Sequence, residues 1–239
     1  MPEKNCSENE RIDLIKSTAL WNDANQMCIS QESWEIIKNN SARWQYRDGQ
    51  MINMSGDYIN SLNFIEKGVV EYYLLNANGC KKIVNYTNSL LGIEAYFNKL
   101  PILYNAVASE SVVLYRVDKA YAEIILACAD IRDYIFLSLS AMVRTLGWQI
   151  YDFSFGSAEE RICRLLCCFA VCQEKNDATY KVAKITHQEI AYLTGIHRVT
   201  ASKALAKLKE THLIDMPKEG TIILQGWDEL IERGFYDIL

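Results

Sequence analysis

Between Thr186 and Leu208 the chain reads THQEIAYLTGIHRVTASKALAKL, two short helical patterns parted by one glycine. Thr186 followed three residues later by Glu189 is a capping box, in which each side chain satisfies a backbone N–H that the first helical turn leaves unpaired. A helix is expected to begin at His187. Ile190, Ala191 and Leu193 give it a compact apolar face, and Gly195, which leaves the right-handed region without a Cβ penalty, ends it. Past the turn, Ile196, Ala201, Ala204, Leu205 and Leu208 recur at helical spacing, while small Ala191, Ala201 and Ala204 let two helices cross closely. This is the pattern of a helix-turn-helix.

The opposite face of the second helix carries cations and short polar side chains. A recognition helix presents its N-terminal residues to base edges, which points to Arg198, Val199, Ser202 and Lys203 as base readers. Arg198 suits a bidentate contact to guanine and Val199 a thymine methyl. His197, Thr200 and Lys207 are better placed for phosphates, which fix register without reading sequence. After Leu213-Ile214, a turn over Asp215–Gly220 and the β-prone run Thr221–Leu224 read as a hairpin, the wing of a winged helix.

The net charge of −5 does not oppose this reading. Split at Ser157, the first part has 14 basic and 18 acidic residues and the second 11 and 12, so acidity disfavours non-specific coating of DNA while leaving a local basic face intact. No apolar stretch of about 18 residues and no signal-peptide core is present, so a cytoplasmic protein without a membrane span is expected. Eight cysteines in such a chain suggest reduced thiols rather than a disulfide framework.

From about Gln45 to Val117, short runs rich in Val, Ile, Tyr and Phe are separated by glycine and asparagine turns, the pattern of a β-domain. Leu62–Ile65, Val69–Tyr73 and Cys80–Tyr86 are expected strands, with Asn78-Gly79 closing a hairpin. Such spacing suggests a sandwich or barrel. From Lys119 to Phe153 only Gly147 interrupts a helical pattern, and Ile131, Ile135, Leu139, Met142, Leu146 and Ile150 form an apolar stripe. We read it as a dimer seam, the alternative being a helix packed on its own β-domain. Asp152–Gly156 reads as a hinge and Ser157 as the next N-cap.

A β-domain containing Gly-Asp-x4-Leu-x-x-Ile-x-x-Gly-x-Val (Gly56 to Val70), then a long helix, then a winged helix-turn-helix, resembles the Crp/Fnr family of bacterial transcription regulators over nearly the whole chain. The resemblance implies an α+β chain: a cyclic-nucleotide-binding-like β-roll sensor over residues 1–118, a dimerisation helix and hinge over 119–156, and a winged helix-turn-helix over 157–239. It implies a ligand-responsive homodimer on a palindromic operator, with RNA polymerase as partner, and puts Arg198, Val199, Ser202 and Lys203 on the base-reading positions. Val199 stands where glutamate is common and Lys203 where arginine is usual, so the half-site differs from that of well-known members.

Cyclic-nucleotide binders of the family offer an Arg-Ser/Thr pair to the phosphate. Here no arginine occurs between Arg47 and Arg116, and a buried phosphate lacking its bidentate partner is costly, so cyclic AMP is disfavoured. The N-terminus offers only Cys6 and Cys28 for an iron–sulfur centre, and all three histidines lie in the DNA-binding part, which disfavours haem. No cofactor or metal is required by this reading. A tyrosine-rich pocket remains, with Tyr58, Phe64, Tyr72, Tyr86, Tyr96, Phe97 and Tyr104, and with Lys81 and Lys82 offering charge to a carboxylate or phenolate; barrel core is the competing role for most of these rings. The Gly195–Ser202 segment looks like the branch that senses halogenated aromatic acids in organohalide respiration, which implies a small organic, aromatic effector.

Cys163, Cys167, Cys168 and Cys172 lie partly on one helical face. Four thiolates on one straight helix cannot surround a tetrahedral ion, so packing as small hydrophobes is favoured over a redox or metal-sensing regulator, which stays an alternative beside a cyclic-nucleotide regulator. An enzyme whose winged helix mediates protein contacts is opposed by the lack of a nucleophile–histidine pair in the sensor half, a phosphate-cradling loop or an acidic metal motif.

Overall fold

Ser30 accepts a hydrogen bond from the Ser33 amide and starts α1 (Gln31–Asn39), the first element of the computed structural model, which describes residues 29–171, 180–182 and 185–235. The β-prone runs that follow become β1 (Ala42–Tyr46), β2 (Met51–Asn53), β3 (Ser61–Lys67), β4 (Val70–Leu75), β5 (Lys81–Thr87) and β6 (Leu90–Leu91). A single short helix, α2 (Ile93–Asn98), precedes β7 (Asn105–Ala108) and β8 (Val112–Asp118). They pair into two antiparallel sheets, β1-β8-β3-β6 and β2-β7-β4-β5. Gly68 turns β3 into β4 at φ 90°, and a Cβ there would run into the Ser111 carbonyl oxygen, so only glycine fits the close strand approach. The three strands expected from sequence correspond to β3, β4 and β5.

The helical region differs from expectation at both ends. It divides at Cys128, whose extended backbone (φ −76°, ψ 119°) separates α3 (Lys119–Ala127) from α4 (Ala129–Phe155). Ile131 and Ile135, expected on a dimer seam, are buried in the chain's own core with Leu62, Phe64, Val117, Ile125 and Tyr134. The apolar periodicity of α4 is real, yet its first turns spend it on the β-roll. At the other end α4 continues through Asp152–Phe155, which leaves only Gly156 and Ser157 outside helices where a five-residue hinge was expected.

Two compact units meet between Val143 and Arg144, inside α4. In the second unit, Ser157 and Glu160 form a reciprocal cap (Ser157 N–H to Glu160 Oε2, 2.7 Å; Glu160 N–H to Ser157 Oγ, 3.3 Å) that starts α5 (Ala158–Val171). Then come β9 (Tyr180–Val182), α6 (His187–Thr194), α7 (Arg198–Glu210), β10 (Ile214–Lys218), β11 (Thr221–Leu224) and α8 (Trp227–Phe235). Ile162, Leu166, Ile190, Leu205, Leu208, Leu230 and Phe235 are buried and join α5, α6, α7 and α8. The wing is wider than expected, since β9 adds a third strand in the order β10-β11-β9. Pro217, which has no N–H to donate, lies where the β10–β11 register shifts.

Candidate nucleic-acid interface and effector pocket

The helix-turn-helix forms as its sequence dictates. Thr186 Oγ1 accepts from the Glu189 amide at 3.2 Å, and the Glu189 carboxylate accepts from the Thr186 amide at 2.6 Å. Gly195 adopts φ 67° and donates to the Ala191 carbonyl, ending α6. His197 then caps α7, its Nδ1 accepting from the Val199 amide at 3.3 Å, so its imidazole is engaged with the backbone in addition to any phosphate role. Ala201, Leu205 and Leu208 are fully buried, which turns Arg198, Val199, Thr200 and Lys203 outward; Val199 is 54% exposed.

Two of the expected DNA contacts are engaged within the protein. Ser202 is half-buried and its hydroxyl lies 2.9 Å from His187 Nδ1, bracing α7 against α6. Lys207, expected at a phosphate, donates to Glu159 Oε2 at 2.6 Å. It thereby braces α7 against α5, while its exposed ammonium keeps further N–H donors. Lys209, which the basic pattern of the second helix includes, and Lys218, which sequence reasoning missed, line a groove of about 470 Å³ with His187, Arg198 and Gly220, between α6, α7 and the wing. Only the folded hairpin brings Lys218 to Arg198.

In the sensor unit the expected pocket residues separate. Phe64 is wholly buried in the core, and Tyr96 packs against that core with its ring 5.3 Å from Phe97. Tyr58 is 69% exposed. Lys81 sits 2.5 Å from Glu71 Oε1 and over the Tyr73 ring, while Tyr86 donates to Glu71 at 3.4 Å. Lys81 is thereby paired with Glu71; Lys82 is partly exposed beside it in sequence. Tyr72 and Tyr104 do come together, with centroids 5.6 Å apart, and the Tyr72 hydroxyl accepts from the Gly92 amide at 2.8 Å. Burial pushes both phenols and the nearby Glu94 carboxyl above their ordinary ranges. Arg116, the arginine closing the long arginine-free span, bonds Asn63 and Tyr46.

Residues 43–127 match the cyclic nucleotide-binding domain family, and residues 160–233 match the Crp-like helix-turn-helix domain family. These two domains, in this order, place the chain in the Crp/Fnr family. Crp/Fnr-type folds also lead the structural comparison. CprK in complex with OCPA is 24% identical, with TM-score 0.67, covering 84% of this chain and 92% of that one. A CooA mutant from Carboxydothermus hydrogenoformans is 18% identical, with TM-score 0.73 and coverage of 91% and 96%. The c-di-GMP responsive global regulator CLP of Xanthomonas campestris is 18% identical, with TM-score 0.72 and coverage of 82% and 100%. At these identities the likeness speaks for the fold. No curated protein matches the chain by sequence.

As a Crp/Fnr-type chain, this is a DNA-binding transcription regulator rather than an enzyme. Its cysteines fit that frame as structural groups. Cys163, Cys167 and Cys168 are buried in α5. Desolvation pushes the Cys163 thiol up to about 12 and Cys167 well above its usual value, so both stay protonated and unreactive. Cys172, Cys6 and Cys28 lie outside the described residues. Among the described residues no group of three His, Cys, Asp or Glu is placed to hold a metal ion, and no helix is long and apolar enough to cross a membrane.

Proposed function

We propose that this Crp/Fnr-type regulator is a homodimer that binds a palindromic promoter site in the cytoplasm through α7, answers a small organic, aromatic effector in its β-roll, and acts on transcription with RNA polymerase. The carrying observation is the outward face of α7: Arg198, Val199, Thr200 and Lys203 stand exposed at its N-terminal end while Ala201, Leu205 and Leu208 anchor the helix beneath. The effector is not cyclic AMP in this reading, because no arginine occurs between Arg47 and Arg116 to pair with its phosphate.

Dimerisation rests on α4 in a phase shifted from the sequence expectation. Phe136, Val143 and Ile150 recur at seven-residue spacing and are 66%, 68% and 65% exposed; Leu139, Leu146 and Phe153 follow each by three residues. Large apolar side chains left in water at heptad spacing call for a second helix. Met142 lies beside this stripe. The test is titration of full-length protein against palindromic and scrambled promoter duplexes across salt concentrations. Preference for the palindrome, steep loss of affinity with salt and a ligand-dependent shift support the reading, whereas equal affinity for both duplexes overturns it.

A further inference from the structure

Gly156 and Ser157, the two residues between α4 and α5, form a joint in which every backbone polar group is bonded. The Gly156 amide donates to the Asp152 carbonyl at 3.0 Å, and the Gly156 carbonyl accepts from Arg161 Nε at 3.1 Å. The Ser157 amide donates to Glu160 Oε2 at 2.7 Å, and the Ser157 carbonyl accepts from the Arg161 amide at 3.1 Å. A linker bonded only to water turns freely, whereas one whose polar groups are all taken by its neighbours is an elbow of fixed angle. Packing closes it further. A Cβ on Gly156 would run into Arg164 Nη2 and come within 3.0 Å of the Asp152 carbonyl oxygen, and Arg164 is itself held, with Nε 2.7 Å from Asp152 Oδ1.

Arg161 reaches beyond the joint. Its guanidinium stands 5.1 Å from the Phe153 ring in the last turn of α4, and its Nη1 donates at 3.4 Å to the Thr194 carbonyl. Thr194 ends α6 beside the Gly195 turn that leads into α7, and its carbonyl is one of those a helix end leaves without an intrahelical partner. One planar cation thus joins the long helix, the joint and the turn of the helix-turn-helix. We infer that Arg161 is a positioning residue for DNA recognition: by fixing the angle between α4 and the helix-turn-helix, it sets the number of base pairs between the two half-sites that the protein reads. In a homodimer paired through α4 on a palindromic site, the reading on which this rests, each elbow holds its recognition helix at a set distance from the two-fold axis. Half-sites for such dimers lie about one turn of DNA apart, so one inserted base pair turns a half-site by roughly 35°. It also displaces that half-site by about 3.4 Å. A bonded elbow does not follow this shift; a loosened one does.

Inverted repeats are selected from a random duplex pool with full-length wild-type protein. Affinities of wild type, Arg161→Met and Arg161→Lys are then measured for the selected repeat, for that repeat with one central base pair added or removed, and for a single half-site, with dimerisation followed by sedimentation velocity. Wild type is expected to lose at least tenfold in affinity with either change of spacing. Arg161→Met, which keeps apolar bulk against Phe153 but has no donor, is expected to lose less than threefold while its half-site affinity stays at the wild-type level. Arg161→Lys, a point charge in place of a fork, is expected to fall between them. General destabilisation weakens binding to every duplex alike, so the spacing profile reports positioning alone. A wild-type profile in Arg161→Met overturns the inference, as does a wild-type dimer that accepts all three spacings equally; should Arg161→Met be too unstable to assay, an unchanged profile in Arg161→Lys overturns it. A monomeric wild type, or one that binds the half-site as tightly as the repeat, overturns the dimeric palindrome reading and the inference with it.

Discussion

Lys207 donates to Glu159 at 2.6 Å, and the same carboxylate receives Arg233 at 2.7 Å, so one acidic side chain of α5 ties the recognition helix to the last helix. The Lys207 hydrogen bond, ahead of the Arg233 bond, holds the Glu159 carboxyl below the ordinary carboxylate range despite partial burial. A carboxyl whose native pKa is depressed gives stability that is present above the unfolded value and lost as pH falls through the native one. Glu159→Gln is expected to lower stability at neutral pH by about 1 kcal/mol, given that both cations remain solvent-accessible. Thermal melts across pH check this: the gap between variant and wild type closes in acid, below the usual carboxylate range.

Arg198 tests how DNA is read. Arg198→Ala is expected to cost roughly 1–3 kcal/mol at one base pair of the half-site and to relax discrimination there. Equal weakening on every duplex would instead assign Arg198, which lines the groove with Lys209 and Lys218, to phosphate.

Substitutions along α4 should separate the two faces of that helix. Val143→Asp is expected to give monomers in sedimentation velocity with little loss of thermal stability in the remaining fold, since Val143 is exposed within the chain. Ile135→Ala, by contrast, opens a cavity in the buried core and should cost about 2–5 kcal/mol while the dimer persists. A dimeric Val143→Asp would remove α4 from the interface.

Arg164 carries the second unit's most buried charge. Its Nε lies 2.7 Å from Asp152 Oδ1, Nη1 donates to the Gly234 carbonyl, and its guanidinium stands 5.8 Å from the Tyr151 ring, so α5 is fastened to the end of α4 and to α8. Removing one member of a buried pair leaves the other uncompensated, and Arg164→Met is expected to cost about 3–5 kcal/mol in chemical denaturation. In the double variant with Asp152→Asn much of that loss should return.

Thiol chemistry gives a further check. Cys80 is exposed, whereas Cys163, Cys167 and Cys168 are buried. Iodoacetamide on the native protein should modify Cys80 and leave the three α5 thiols untouched until the protein unfolds, as peptide mass spectrometry can read out. Rapid native labelling of Cys163 would revive a redox role.

What the sequence determined is local. Thr186, Glu189 and Gly195 set the limits of α6 through hydrogen bonds within a few residues, and Ser157 with Glu160 does the same for α5. The strands β3 to β5 were legible because glycine and asparagine turns bound their apolar runs. Long-range partnership was not written so locally. The apolar repeat in α4 could not say which residues face the chain's own core, and only packing gave Ile131 and Ile135 to the β-roll and left Phe136, Val143 and Ile150 in water. Likewise, the formal charge of a lysine does not reveal its partner: Lys81 and Lys207 looked available to ligand and DNA, and the fold brought Glu71 and Glu159 to them across distant positions in the chain. Local hydrogen bonding and periodicity fixed the elements; tertiary packing, through burial and charge pairing between residues far apart in sequence, decided which of their faces remain to bind anything else.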